Sequence, residues 1–210
     1  MRVIVLALVT VVGLLAPSHA PSHAAVAAPA PVGREHLLTL ADLEVVYPDL
    51  ADPTRIVMRS PLFAPRGCDD RGQVVRGTSR IFGGVSPDVT RSEVTLIDQT
   101  VVRLATKAEA RAVVQRYRWF SRHCVGNVRT DDGEGGKVIL KNRAWLPPRV
   151  GDQSAGMLIG WLQSGSIDWR RVLVSRVGRT VSVLDVSAFD TRPRRRDLVA
   201  LGELAAERLR

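Results

Sequence analysis

The sequence predicts an α+β fold: a mostly antiparallel sheet with two or three helices packed on one face, in a single domain carrying one disulfide. Three observations predict it. WRRVLVSRV and TVSVLDVSA, separated by Gly178-Arg179, give the strongest hairpin pattern in the chain, and a hairpin is antiparallel. SEVTLIDQTVVRLA, dominated by β-branched residues, runs directly into TKAEARAVVQRYRWFSRHC, where Ala110, Val113, Tyr117, Phe120 and Cys124 recur at helical intervals. Strands and helices otherwise alternate irregularly, which favours an α+β sheet.

The elements follow in order. Met1-Arg2 is a positive start, and VIVLALVTVVGLLA (residues 3–16) is an unbroken apolar run, so residues 1–24 read as a secretory signal peptide. The run is shorter than the roughly 20 apolar residues that span a bilayer. PSHAPSHAAVAAPA offers small residues to a signal peptidase, with cleavage after Ala24 or after Ala27. Residues 25–35, rich in Ala and Pro, read as a flexible lead-in, and 36–210 as the domain. No cysteine precedes Cys68 and no later apolar run is long enough to span, so a secreted protein without lipid anchor or transmembrane helix is expected.

In LLTLADLEVVYPDL, Thr39 is placed to cap a short helix, Asp42 sits near its positive end, and Pro48 ends it. A loop rich in proline and charge leads to Cys68, and VVRGTSRIFGG reads as one strand bounded by glycines. Thr106 is placed to start the second helix. TDDGEGG reads as a loop, KVILK as a short strand, Gly151-Asp152 as a turn and MLIGWLQ as extended chain. GMLIG has the small-xxx-small spacing of packed membrane helices, but its surroundings are too short, leaving strand or turn. In DLVALGELAAERLR, Leu198, Leu201, Ala205 and Leu209 share one helical face.

The 210 residues carry a formal net charge of +9, nearly all of it from arginine; the only lysines are Lys107, Lys137 and Lys141. Such a surface attracts anionic partners, although export argues against nucleic acid. The two cysteines of an exported chain are expected to oxidise to a Cys68–Cys124 disulfide, whose large ring is worth about 4 kcal/mol by chain entropy. His123 beside Cys124 is no nucleophile–base pair, because helical neighbours diverge by about 100°. No metal-ligand set, G-x-S-x-G elbow or phosphate-cradling glycine motif is present, so no catalytic residue, metal or cofactor is assigned.

Two sets of residues suggest binding. Trp145, Trp161 and Trp169 interleave with Arg143 and Arg170 and either line a groove that stacks flat ligands or pack in the core and hairpin. Arg192, Arg194, Arg195 and Arg196 either form an anion site beside the positive end of the last helix or are solvated ahead of a helix that starts near Asp197.

LLTLADL, Cys68, the strand–helix block ending in Trp119 and Cys124, the turn VGDQSAG and the hairpin RVGRTVSVLDV occur in an order that resembles the PknH-like extracellular sensor domain of actinobacterial serine/threonine kinases and of free-standing secreted proteins. The resemblance implies an α+β domain whose sheet forms a ligand-binding cleft without catalytic activity. It transfers no contact residues, and this sequence offers one disulfide where members often have two. The expected function is therefore a secreted, non-enzymatic, sensor-like ligand-binding domain for an unknown small-molecule or envelope ligand. The alternative is a cationic envelope-associated protein holding anionic polymers or membrane surfaces through its arginines; a secreted hydrolase is a third reading.

Overall fold

Eight strands join one antiparallel sheet because the chain keeps doubling back through short turns and a single long crossover helix. The computed structural model describes residues 30–68, 72–131 and 136–210. The expected signal peptide and residues 132–135 of the TDDGEGG loop lie outside the described residues. From Pro31 onward the chain forms one compact unit.

A 3-10 turn, Arg34–His36, precedes helix α1 (Leu40–Val46). Thr39 caps α1 by accepting from the Asp42 N–H, and Asp42 reciprocates by accepting from the Thr39 N–H. Strands β1 (Thr54–Met58), β2 (Leu62–Pro65), β3 (Gly72–Val75), β4 (Ser79–Ser86) and β5 (Leu96–Arg103) follow, then helix α2 (Lys107–His123). Thr106 accepts from the Glu109 N–H at the start of α2. Strands β6 (Gly126–Asp131), β7 (Lys137–Arg143), β8 (Gln153–Gln163), β9 (Ser166–Val177) and β10 (Thr180–Phe189) form a meander, and helix α3 (Arg195–Arg208) closes the chain. The strand order is β1-β4-β5-β10-β9-β8-β7-β6, while β2 and β3 pair separately. Gly178 has φ +59 in the β9–β10 turn, a conformation that costs glycine nothing.

Residues paired across antiparallel strands share a face, and successive residues alternate. Val172 and Val174 of β9 therefore lie with Val181 and Val183 of β10, Met157 and Ile159 of β8 and Val102 of β5 on one face, packed under Ala110, Val114, Tyr117 and Phe120 of α2. Leu173, Leu184, Val186 and Leu158 lie on the other, packed under Leu198, Leu201 and Ala205 of α3 and Leu43 of α1. We call these the α2 face and the α3 face.

The α+β class, the antiparallel sheet and the disulfide stand as the sequence predicts; the placement of all helices on one face does not. The central strands explain the difference. Both Val172 and Leu173, and both Val183 and Leu184, are buried, so each side of the sheet needs a cover. Three further corrections concern boundaries. VVRGTSRIFGG is two strands, since Val74 and Val75 pair with β2 while Ile81 and Phe82 pair with β5. The proline-rich loop before Cys68 contains β1 and β2, and β6 takes in Thr130 and Asp131 of the expected TDDGEGG loop. The lead-in is shorter than residues 25–35: Val32 is buried and its N–H donates to Ser79 Oγ.

Cys68 and Cys124 are bonded, with Cα atoms 5.0 Å apart and a sequence separation of 56. The bond ties the loop after β2 to the end of α2, so the small β2–β3 sheet is held against the helix that covers the same face. Tyr117 Oη adds a second tie by donating to the Phe63 carbonyl at 2.9 Å.

Candidate ligand-binding site

Where the β2–β3 hairpin meets the sheet, the α2 face opens into a cleft of about 370 Å³. The hairpin supplies Pro61, Leu62, Phe63 and Pro65, the sheet supplies Phe82, Met157, Val172 and Val183, and α2 supplies Tyr117. These walls are apolar because they extend the α2-face core past the end of its cover. On the open side, Ile56 and Met58 of β1 remain 48% and 50% exposed. A concave apolar surface of this kind with a few convergent polar groups is the usual form of a small-molecule site.

The polar groups are Asp98, Asp185 and Arg170, with Thr100 beside them. Asp98 and Asp185 are register partners on β5 and β10, and like charges placed directly opposite repel. Arg170, on the same face of β9, donates from both Nε and Nη2 to Asp185 Oδ2, the Nε bond measuring 3.1 Å. Burial, reinforced by Asp185 and opposed by Arg170, pushes the Asp98 carboxyl up to about 6. Asp168, two residues before Arg170 and on the same face, is also raised by burial, with Arg170 pulling the other way. Three carboxylates thus surround one guanidinium. The Oδ1 atoms of Asp185 and Asp168 are buried and accept no hydrogen bond, so the site holds acceptors without donors.

Of the five residues predicted to line one groove, the structure brings only Arg170 into the cleft. Trp161 shares the α2 face, packed against its core. Arg143 is on the α3 side of β7, bonded to the carbonyls of Gly126 and Asn142. Trp145 and Trp169 are 3% and 5% exposed on the α3 face. They lie flat there because GMLIG presents Gly156 and Gly160 to that side: a Cβ would sit 2.5 Å from Trp145 at the first and 2.8 Å from Trp169 at the second. Each indole carries a guanidinium, but from other arginines: Arg171 over Trp145 at 4.9 Å and Arg192 over Trp169 at 4.5 Å. In the arginine run, Arg194 pairs with Glu93 and Arg196 with Asp197, and α3 begins at Arg195 rather than near Asp197. Sequence reasoning missed Asp98, Asp168 and Asp185; the one signal was an acid within each of three apolar strands.

His123 stacks on Trp119 and its Nδ1 bonds the Trp119 carbonyl, while Cys124 is spent in the disulfide, so the pair offers no thiol for catalysis. Among the described residues no group of three or more His, Cys, Asp or Glu is arranged to hold a metal, and no helix is long and apolar enough to cross a membrane.

The geometry has a known counterpart. The fold is similar to the crystal structure of the extracellular domain of PknH from Mycobacterium tuberculosis, with a TM-score of 0.60 over 86% of this chain and 97% of that one. Sequence identity is 16%, so the likeness is one of fold. No protein-family model matches the chain. No curated protein matches it either.

Proposed function

We propose that this protein is an exported, non-enzymatic, sensor-like domain that binds a small ligand in the cleft on the α2 face. The observation that carries the reading is the unpartnered carboxylate oxygen Asp185 Oδ1 beside an apolar hollow that Asp98 also lines. A buried acceptor without a donor is costly, and a ligand that brings an N–H or a cationic group relieves that cost. The ligand class is therefore an amphiphile: an apolar body against Phe63, Phe82 and Met157, and a hydrogen-bond-donating, preferably protonated amine, end toward Asp98 and Asp185. The fold likeness to the extracellular domain of PknH and the signal-like first 24 residues support a role outside the cytoplasm.

Dansylcadaverine, an aromatic body on a primary amine, is a direct probe. Its fluorescence should rise saturably with the wild-type protein, and Asp98→Asn and Phe82→Ala should each weaken the half-saturation point about fivefold or more. Equal saturation in wild type and both variants sinks the reading. The surface-charge alternative is weakened by the pairing of Arg194 and Arg196 with acids; it requires anionic polymer binding that fades steeply with salt across the whole surface.

A further inference from the structure

The α3 face buries an arginine, Arg171, that pairs with no acid among the described residues. Arg171 is 4% exposed; its Nε donates to the Pro193 carbonyl at 2.7 Å, and its Nη1 is buried with no hydrogen-bond partner. Desolvating a guanidinium is unfavourable unless an anion or a full set of acceptors meets it, and the stacked Trp145 ring supplies neither.

The surroundings add positive charge. Pro193 belongs to the linker that enters α3, with Arg192 stacked on Trp169 on one side and Arg195 opening the helix on the other. Among the described residues, Arg192 and Arg195 make no ion pair or hydrogen bond, unlike Arg194 and Arg196. Burial, then Arg195 and Arg192, lower the Arg171 pKa to about 10, so the group stays protonated at neutral pH. Arg192, Pro193 and Tyr47 line a cavity of about 450 Å³, and Tyr47 brings a buried hydroxyl that also lacks a partner. Glu93 and Asp197 line the same cavity, each engaged by an arginine. The N-cap residue of α3, Arg194, makes no side-chain cap, and Arg194 and Asp197 both line the cavity, so the positive end of this 14-residue helix, with Asp197 as the acid of its first turn, borders this space.

We propose that this cavity binds a phosphate group, held by Arg192 and the Tyr47 hydroxyl at the N-terminus of α3, with the unpaired charges of Arg171, behind Pro193, and Arg195 adding to the attraction. A carboxylate has too few oxygens for so many donors, whereas a phosphate dianion meets guanidinium forks in pairs and matches the excess charge. The group belongs to a soluble phosphate ester or to a phospholipid headgroup. The site is separate from the cleft: it lies on the other side of the sheet and shares none of its lining residues.

The test is a titration of the ¹⁵N-labelled protein with inorganic phosphate at constant ionic strength. The Arg171 Nε–H and the Asp197 and Leu198 amides are expected to shift saturably. Because Arg171→Met risks the fold, the exposed positions carry the comparison. Arg192→Gln and Arg195→Gln should each raise the half-saturation concentration at least fivefold, while Arg111→Gln on α2 changes it less than twofold. Co-sedimentation with phosphatidylglycerol vesicles that is lost in the same two variants assigns the phosphate to a headgroup; saturable phosphate binding without co-sedimentation assigns it to a soluble ester. Shifts that never saturate, or that are the same in wild type, Arg192→Gln and Arg195→Gln, overturn the proposal.

Discussion

The two faces of one sheet have opposite deficits. The α2 face leaves carboxylate oxygens of Asp168 and Asp185 without donors, and the α3 face leaves a guanidinium nitrogen of Arg171 without an acceptor. Asp168 and Arg171 come from the same short sequence, IDWRRVLVSRV, because a strand sends neighbours to opposite sides. Arg170 turns to the carboxylates and Arg171 to the tryptophan. The lesson is that a mixed-charge strand in the middle of a sheet covered on both sides can set an excess of carboxylate on one face and of guanidinium on the other. The faces differ also in cover: α3 and α1 lie over one side, α2 and the disulfide-bound hairpin over the other, and each side keeps a hollow.

Four measurements break or sharpen that contrast. The largest effect is expected from removing the staple. Cys68→Ala with Cys124→Ala should lower the unfolding free energy by about 4 kcal/mol in denaturant, as a 56-residue separation implies. Hydrogen exchange should quicken chiefly in α2 and the β2–β3 hairpin; equal quickening in α3 would show that the bond does not serve one face. Next, Leu173→Ala under α3 should cost about 3 kcal/mol, since Leu173 is fully buried and Gly202 of α3, which packs against its Cδ2, has no side chain to fill the space.

The third is a pH effect. The folded pKa of Asp98, near 6, is above its unfolded value near 4, so folding takes up a proton at this group between those limits. Its contribution is fully present below pH 4 and is lost as pH rises through 6. Asp98→Asn should therefore stabilise the protein at pH 7 by about 1 kcal/mol, the shift being discounted for the open side of the cleft, and flatten the stability profile between pH 4 and 6. An unchanged profile would show that the carboxylates do not face one another in solution. The smallest effect belongs to the uncovered part of the same face: Met58→Ala should change stability by less than about 0.5 kcal/mol, because half of the side chain is already in water.

The sequence made the backbone elements legible where a local signal was strong. Thr39 and Thr106 mark helix starts because a hydroxyl must satisfy an N–H there, and Gly178 marks the hairpin because its turn needs positive φ. What strand patterns did not reveal was which face each helix covers. That depends on whether both sides of β9 and β10 are buried, a property of the assembled sheet. The cleft was expected only through the family resemblance, and none of its acids was foreseen: Asp98 and Asp185 lie 87 positions apart in sequence and meet only through the β5–β10 register. The tryptophans were read with their sequence neighbours, and strand alternation exchanged Arg170 for Arg171.

The adjacency of Arg170 and Arg171 has an evolutionary cost. Inserting or deleting one residue ahead of them in β9 would send every side chain of the strand to the other side, exchanging the two guanidiniums and turning Leu173 toward α2 and Val172 and Val174 toward α3 in a single event. Loop-length variation in this protein should therefore be confined to connections such as the one between β6 and β7, and β9 should change by substitution alone.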